Sequence, residues 1–188
     1  MIKIFSKTFN KSVRFLADKI ETQGELCDTL VATSAKSIAE FLKLAIADNC
    51  KALFMVGNVG DCATTFAETF GLTMFYDKFV EKNIREYCKL TQIELPSQHQ
   101  LERLCVVPES FNHFNSSYGY QCAAFGVLNK THVYLLPDEE KETETVYDNY
   151  IRKDLFKRPD GEGRYVFKVF GLSKKDVEAR LAKVNPFV

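Results

Sequence analysis

Neither sign of charge prevails in this chain: 25 lysines and arginines face 25 aspartates and glutamates. Without a net field, general electrostatic attraction to nucleic acid or to an anionic membrane surface is excluded as the basis of function, and only local patches remain. Long apolar runs are missing as well, and no stretch approaches the roughly 20 consecutive residues that a membrane span requires. The opening MIKIFSKTFNK has too short an apolar stretch for a secretory signal. The expected location is therefore the cytoplasm, with neither nucleic acid nor membrane as a partner. Cysteine pairs are absent too. Cys27, Cys50, Cys62, Cys88, Cys105 and Cys122 are well separated and mostly lie among apolar neighbours, and no Cys-x-x-Cys occurs. This argues against both a zinc centre and a disulfide framework. There is no internal repeat and no low-complexity tract. What is present, 46% hydrophobic residues in 188, is enough for one globular domain with its own core and a small appendage.

The apolar pattern alternates between two periods. Ile2 and Ile4 flank Lys3 as in a short strand, and Asn10 then offers an N-cap to a helix with Val13, Leu16 and Ile20 on one face and Gly24 at its end. Residues 26–32 suit a second strand. Ser34 precedes Ile38, Phe41, Leu42, Ala45 and Ile46 at helical spacing, with Asn49 as a stop. The continuous apolar run 52–56 suits a strand buried on both faces, and it ends in Gly57-Asn58-Val59-Gly60-Asp61. A short helix is expected over 63–70 with Gly71 after it. A longer one starts near Asp77, with Val80, Ile84 and Tyr87 inward. Beyond Pro96 come a short piece at 98–104, apolar Cys105-Val106-Val107, and a polar aromatic stretch, 111–120, that reads as a mobile or binding loop. Residues 123–128 and 132–136 flank Asn129-Lys130-Thr131 as a hairpin. The acidic segment 138–154 reads as a helix with Val146, Tyr150 and Ile151 buried.

These alternations predict an α/β fold, a three-layer α/β/α sandwich with a mostly parallel sheet, over 1–156. Pro159, Gly161 and Gly163 mark 157–164 as a linker, and 165–188 reads as a strand and helix forming a C-terminal appendage. Ligands of such sheets bind beyond the carboxyl ends of the strands, which points to 57–61, 111–120 and 137–140.

The order of motifs resembles the N-terminal domain of competence/damage-inducible CinA proteins, within the molybdopterin-binding MoaB/MogA-like superfamily. The likeness rests on the buried strand followed by Gly57 and Gly60, on Phe70-Gly71-Leu72, and on Val107-Pro108-Glu109. It continues through Asn115, Gly119, Phe125, the Asn129-Lys130-Thr131 hairpin and Leu135-Leu136-Pro137. The tail Phe170-Gly171-Leu172-Ser173, with Val177-Glu178-Ala179-Arg180-Leu181 and Asn185-Pro186, is similar to the start of a KH-type second domain. Against the family pattern, the Thr-Gly-Gly-Leu-Gly-Pro-Thr-x-Asp-Asp turn has become Val56-Gly57-Asn58-Val59-Gly60-Asp61-Cys62, without the paired aspartates. The Leu-Pro-Gly-Pro-Pro turn has become Leu136-Pro137-Asp138-Glu139-Glu140, which puts three carboxylates where an anion would sit. The ligand motifs are thus degenerate while the core side persists.

Several residues carry two readings. Gly57 and Gly60 either aim amides at a phosphate or make a tight turn. Asn58 tolerates positive φ and carries an amide that a ligand can use, so it leads the binding candidates. Asp61 is itself an anion in that turn. Asp138, Glu139 and Glu140 either hold Mg²⁺ or favour a helix N-terminus through its dipole. His99, His113 and His132 are too scattered for a metal set, and His113, beside Asn115, Ser116, Ser117 and Tyr118, is either ligand-facing or a surface histidine. Cys62 is a helix-start thiol, reactive or structural. Tyr118 and Tyr120 sit in a polar loop with Ser117 and Gly119, where a base or a protein partner can stack. The family implies a nucleotide-like or pterin ligand and a homo-oligomer, most simply a dimer. Two functions follow: a non-catalytic interaction or oligomerisation module that keeps a nucleotide- or molybdopterin-type site, or a Mg²⁺-dependent hydrolase resembling an ADP-ribose pyrophosphatase. The cofactor is unassigned, with Mg²⁺ entering only under the second.

Overall fold

The computed structural model describes residues 1–114 and 122–156; the linker expected at 157–164, the appendage at 165–188, and Asn115, Ser116, Ser117, Tyr118, Gly119 and Tyr120 lie outside them. The chain runs β1 (Ile2–Ser6), α1 (Lys11–Thr22), β2 (Cys27–Val31), α2 (Ala35–Ala47), β3 (Ala52–Val56) and α3 (Val59–Phe70). Then come β4 (Met74–Tyr76), α4 (Lys78–Thr91), α5 (Gln98–Leu104), β5 (Val106–Pro108) and β6 (Asn112–His113). The hairpin strands β7 (Ala124–Leu128) and β8 (Thr131–Leu136) precede α6 (Glu140–Val146), a π-helical turn (Tyr147–Ile151) and α7 (Arg152–Leu155). Six strands form one sheet in the order β2-β1-β3-β8-β7-β6. β2, β1, β3 and β8 run parallel, and β7 is antiparallel to both of its neighbours.

Alternation along the central strands fills two cores. Ile2, Ile4, Ala52, Phe54, Val56, Tyr134 and Leu136 meet Val13, Leu16 and Ile20 of α1 together with Val146, Tyr147, Ile151 and Leu155. Phe5, Leu53, Met55, Val133 and Leu135 meet α2 and α3 on the opposite face. β3 is buried along its whole length, as a strand covered by helices on both sides must be. Each buried Leu, Ile or Phe contributes roughly 1.5–3 kcal/mol, so the two-sided core is what holds the layers together. The three-layer, mostly parallel α/β arrangement expected from the sequence is the one present.

Local signals act where they were read. The Asn10 side chain accepts from Val13 N–H, Gly71 closes α3 at φ 65, and Asn129 and Lys130 turn the hairpin at φ 47 and 69. Four expectations are corrected, and one pairing is added to them. α3 begins at Val59, four residues earlier than its apolar period indicates, because Asn58 caps it. β4 pairs antiparallel with β5 in a separate small sheet (Phe75 opposite Val107) that periodicity over three residues does not reveal. Residues 111–114 are not a loop surface: Phe111 and Phe114 are buried and β6 pairs with β7. Finally, the π-turn inserts one residue into the helical register. Tyr147, Ile151 and Leu155 therefore face the core and Tyr150 is left exposed, while on α4 Cys88 rather than Tyr87 joins Val80 and Ile84 inside.

Candidate functional site

β1, β3 and β8 end side by side, and the residues that follow them form one carboxyl edge. Gly57 stands directly after β3, but its N–H donates to Leu136 O at 2.9 Å. That amide belongs to the sheet, so Gly57 is a sheet-to-helix junction rather than a phosphate donor. Asn58 has φ −62 and ψ 120, so it does not need the left-handed region. Its Oδ1 accepts the Asp61 N–H at 3.1 Å, and this capping bond leaves its NH₂ group for other partners. Gly60 is buried in the first turn of α3, where a Cβ would overlap the carbonyl oxygen of Arg103. Its lack of a side chain lets α5 end against α3, a packing reason rather than a ligand reason.

Asp61 follows in the same turn and forms an ion pair with Arg103. Its charge is already countered by a neighbour on another element, although both side chains keep solvent exposure, so the pair is worth at most about 1 kcal/mol. Cys62 is buried, and its thiol is pushed up to about 12 by desolvation, with Lys7 opposing and Asp61 and Asp138 reinforcing the shift. A thiol held that high stays protonated and unreactive at neutral pH, despite its place at a helix start.

Pro137 is buried, and its carbonyl accepts the Thr143 hydroxyl at 2.8 Å, while the Asp138 carbonyl accepts the Ser12 hydroxyl at 2.9 Å. Those bonds tie the turn after β8 to α1 and α6. Asp138 and Glu139 are exposed, and Glu140 lies 3.6 Å from Lys11 Nζ. The three acids stand at the start of α6, where the helix dipole favours them. Among the described residues, no group of three or more His, Cys, Asp and Glu side chains is placed to hold a metal ion. Ser117 and Gly119 lie outside the described residues.

Beside Asn58 opens a cavity of about 560 Å³, walled by Arg103, Gln100 and Ser97 of α5 and its cap and by Ile93, Leu95 and Pro96 from the α4–α5 connection. Its lining combines polar groups, the Glu94 carboxylate among them, with apolar side chains, the mixture typical of small-molecule sites. Gln100 and Arg103 were not singled out in the sequence. Their signal was the three-residue spacing within a helix opened by Ser97, whose side chain and that of Gln100 form a reciprocal capping box.

His113 is not the surface residue its sequence neighbours suggest. Its side chain is 2% exposed, its Nδ1 lies 2.7 Å from Asp77 Oδ2, and its Nε2 is buried without a hydrogen-bond partner among the described residues. Burial lowers its pKa, and Asp77 only partly opposes this. His132 lies on the other face near Asp154, at 3.4 Å, so the histidines do not converge.

A mostly parallel sheet with helices on both sides defines the structural class, an α/β/α sandwich, and the cavity opens at the carboxyl end of its central strand. Among solved structures, the chain is similar to a CinA protein of unknown function from Thermoplasma acidophilum, with a TM-score of 0.67 and 17% identity over 82% of this chain and 96% of that one. It is also similar to the molybdopterin biosynthesis Mog protein from Mycobacterium ulcerans, with a TM-score of 0.48 and 15% identity over 83% of this chain and 94% of that one. No family model and no curated protein matches the sequence. The chain has a CinA-like fold, as its motif order implied. No helix among the described residues is long and apolar enough to cross a membrane.

Proposed function

We propose that this chain is a CinA-like domain that binds a nucleotide- or pterin-like small molecule at the carboxyl edge of its sheet and works in the cytoplasm as a non-catalytic interaction module. The domain spans 1–156, followed by a linker at 157–164 and a KH-type appendage at 165–188. The observation that carries this reading is the position of Asn58. It caps α3 directly after the central strand and lines a cavity of about 560 Å³ together with Gln100 and Arg103. A helix N-terminus, an amide and a guanidinium suit an anionic or heteroaromatic ligand. Three features favour binding over hydrolysis: the carboxylate of Asp61 is paired with Arg103, the Cys62 thiol is protonated, and the acids 138–140 stand at a helix start.

The test is a thermal-shift series with ADP-ribose, adenine dinucleotides and a pterin, each with and without Mg²⁺, because a ligand that binds only the folded state raises the melting temperature. A shift independent of Mg²⁺ that shrinks in Asn58→Ser is expected, since serine keeps the helix cap but removes the amide donor. A shift that requires Mg²⁺ and vanishes in Asp138→Asn would instead overturn the non-catalytic reading, and an assay of phosphoanhydride hydrolysis would then test the hydrolase reading.

A further inference from the structure

Among the described residues, β2 ends the sheet and no strand pairs with its outer side. The Ile2 N–H donates to Leu26 O at 2.9 Å and the Ala32 N–H to Ser6 O at 3.2 Å, with Ile2 to Ser6 in unbroken register with Cys27 to Val31 between them. Backbone groups alternate sides along a strand, so residues 26, 28, 30 and 32 bond to β1. Cys27, Thr29 and Val31 therefore turn their N–H and C=O groups away from the sheet. Such edges are commonly blunted with charged side chains, above all lysine, with proline or with a bulge. β2 has no lysine and no proline, its register with β1 has no bulge, and its single charge is Asp28; Thr29 and Val31 are exposed.

We infer that β2 pairs antiparallel with β2 of a second copy about a two-fold axis through Thr29, joining the two sheets edge to edge. In this register Cys27 faces Val31 of the other copy and Thr29 faces Thr29, so all three outward residues of each strand exchange both backbone bonds. Asp28 lies opposite Leu30, so no like charges meet. Centring the axis on Asp28 would set two carboxylates opposite each other, which is unfavourable. Centring it on Leu30 would pair Cys27 with Thr33, beyond the end of the strand. The side chains also match: Cys27 and Thr29 share a face, and Thr–Thr and Cys–Val cross-strand pairs suit a pleated surface. Parallel pairing of the same edges would leave a contact that does not close on itself. A second copy therefore satisfies this edge with the strand's own five residues. The inference builds on the interaction-module part of the proposed function and does not involve the ligand cavity.

The experiment follows the full chain by sedimentation velocity over a concentration series, alongside Thr29→Pro and Thr29→Lys. The Thr29 N–H makes no bond within the sheet, so proline is tolerated there as on other edges, and circular dichroism reports whether each variant keeps its fold. Dimerisation of the unsubstituted chain is expected, weakened at least about tenfold in both variants. In a Cys27→Ser background, Thr29→Cys should cross-link two copies under mild oxidation faster than Asp28→Cys or Leu30→Cys, because only position 29 faces itself. A monomeric chain would overturn the inference, and so would a dimer indifferent to Thr29→Pro or preferential cross-linking at Leu30→Cys. A monomer whose amides at 27, 29 and 31 resist hydrogen exchange would instead assign the edge to another segment of the same chain. A ligand shift that persists in Thr29→Lys keeps the outcome at this edge separate from the outcome at the cavity.

Discussion

His113 illustrates how one contact sets a residue's chemistry. Asp77 caps α4 through its Oδ1, which accepts the Phe79 N–H at 2.8 Å, and its Oδ2 meets His113 Nδ1. The neutral imidazole is therefore the tautomer with its proton on Nδ1. Because burial lowers the folded-state pKa, the unfolded chain binds the extra proton first. Stability contributed by the neutral imidazole is complete above the unfolded value near 6.5 and is lost as pH falls below it. Melting temperatures measured from pH 7.5 down to 5 are expected to fall more steeply for the natural chain than for His113→Asn, whose amide can still donate to Asp77; parallel profiles would count against this account. None of this was legible in the sequence, where His113 sits among polar residues and Asp77 is 36 positions away. Cys62 was half legible. Its apolar neighbours indicated a packing thiol, but only its burial against the strand ends explains a pKa near 12.

At the scale of elements, glycine has different meanings in places that look alike. Gly71 sits at φ 65, a left-handed helix end that glycine adopts freely. Gly60 lies in ordinary helix, and its constraint is the backbone of Arg103. Gly60→Ala should therefore lower stability by about 1–3 kcal/mol, as overpacking does, despite the ~1 kcal/mol that alanine normally gains over glycine inside a helix; urea denaturation measures the difference. A gain in stability would mean that α5 moves away without penalty. The π-turn makes a second case. Tyr147 is fully buried and its hydroxyl has no hydrogen-bond partner among the described residues. Tyr147→Phe is expected to leave stability unchanged or raise it by about 1 kcal/mol, since it removes a desolvated hydroxyl without breaking a bond. The 138–154 helix was visible in the sequence, but the added residue in its register was not, because an i→i+5 turn leaves no mark in composition.

For the whole molecule, the two cores determine what can be removed. Ile151 and Leu155 belong to the core beneath α1, so a chain cut after residue 150 loses two of the side chains that join α1 to the sheet. A fragment of residues 1–150 should lack the cooperative thermal transition that a fragment of residues 1–156 shows; calorimetry separates the two. The order of the longer strands and helices, the two-faced burial of β3, the cap at Asn10 and the hairpin at Asn129 were all readable from hydrophobic period and local backbone preference, because they depend on residues within a few positions of one another; the cap at Asn58 was not, because the apolar period of α3 sets in only at residue 63. The pairing of β4 with β5, the seat of Gly60 against Arg103, the His113–Asp77 contact and the cavity between Asn58 and α5 were decided by the tertiary structure alone. Each joins residues about 30 to 45 positions apart in the sequence, and no local propensity encodes which of many compatible partners the packed layers bring together.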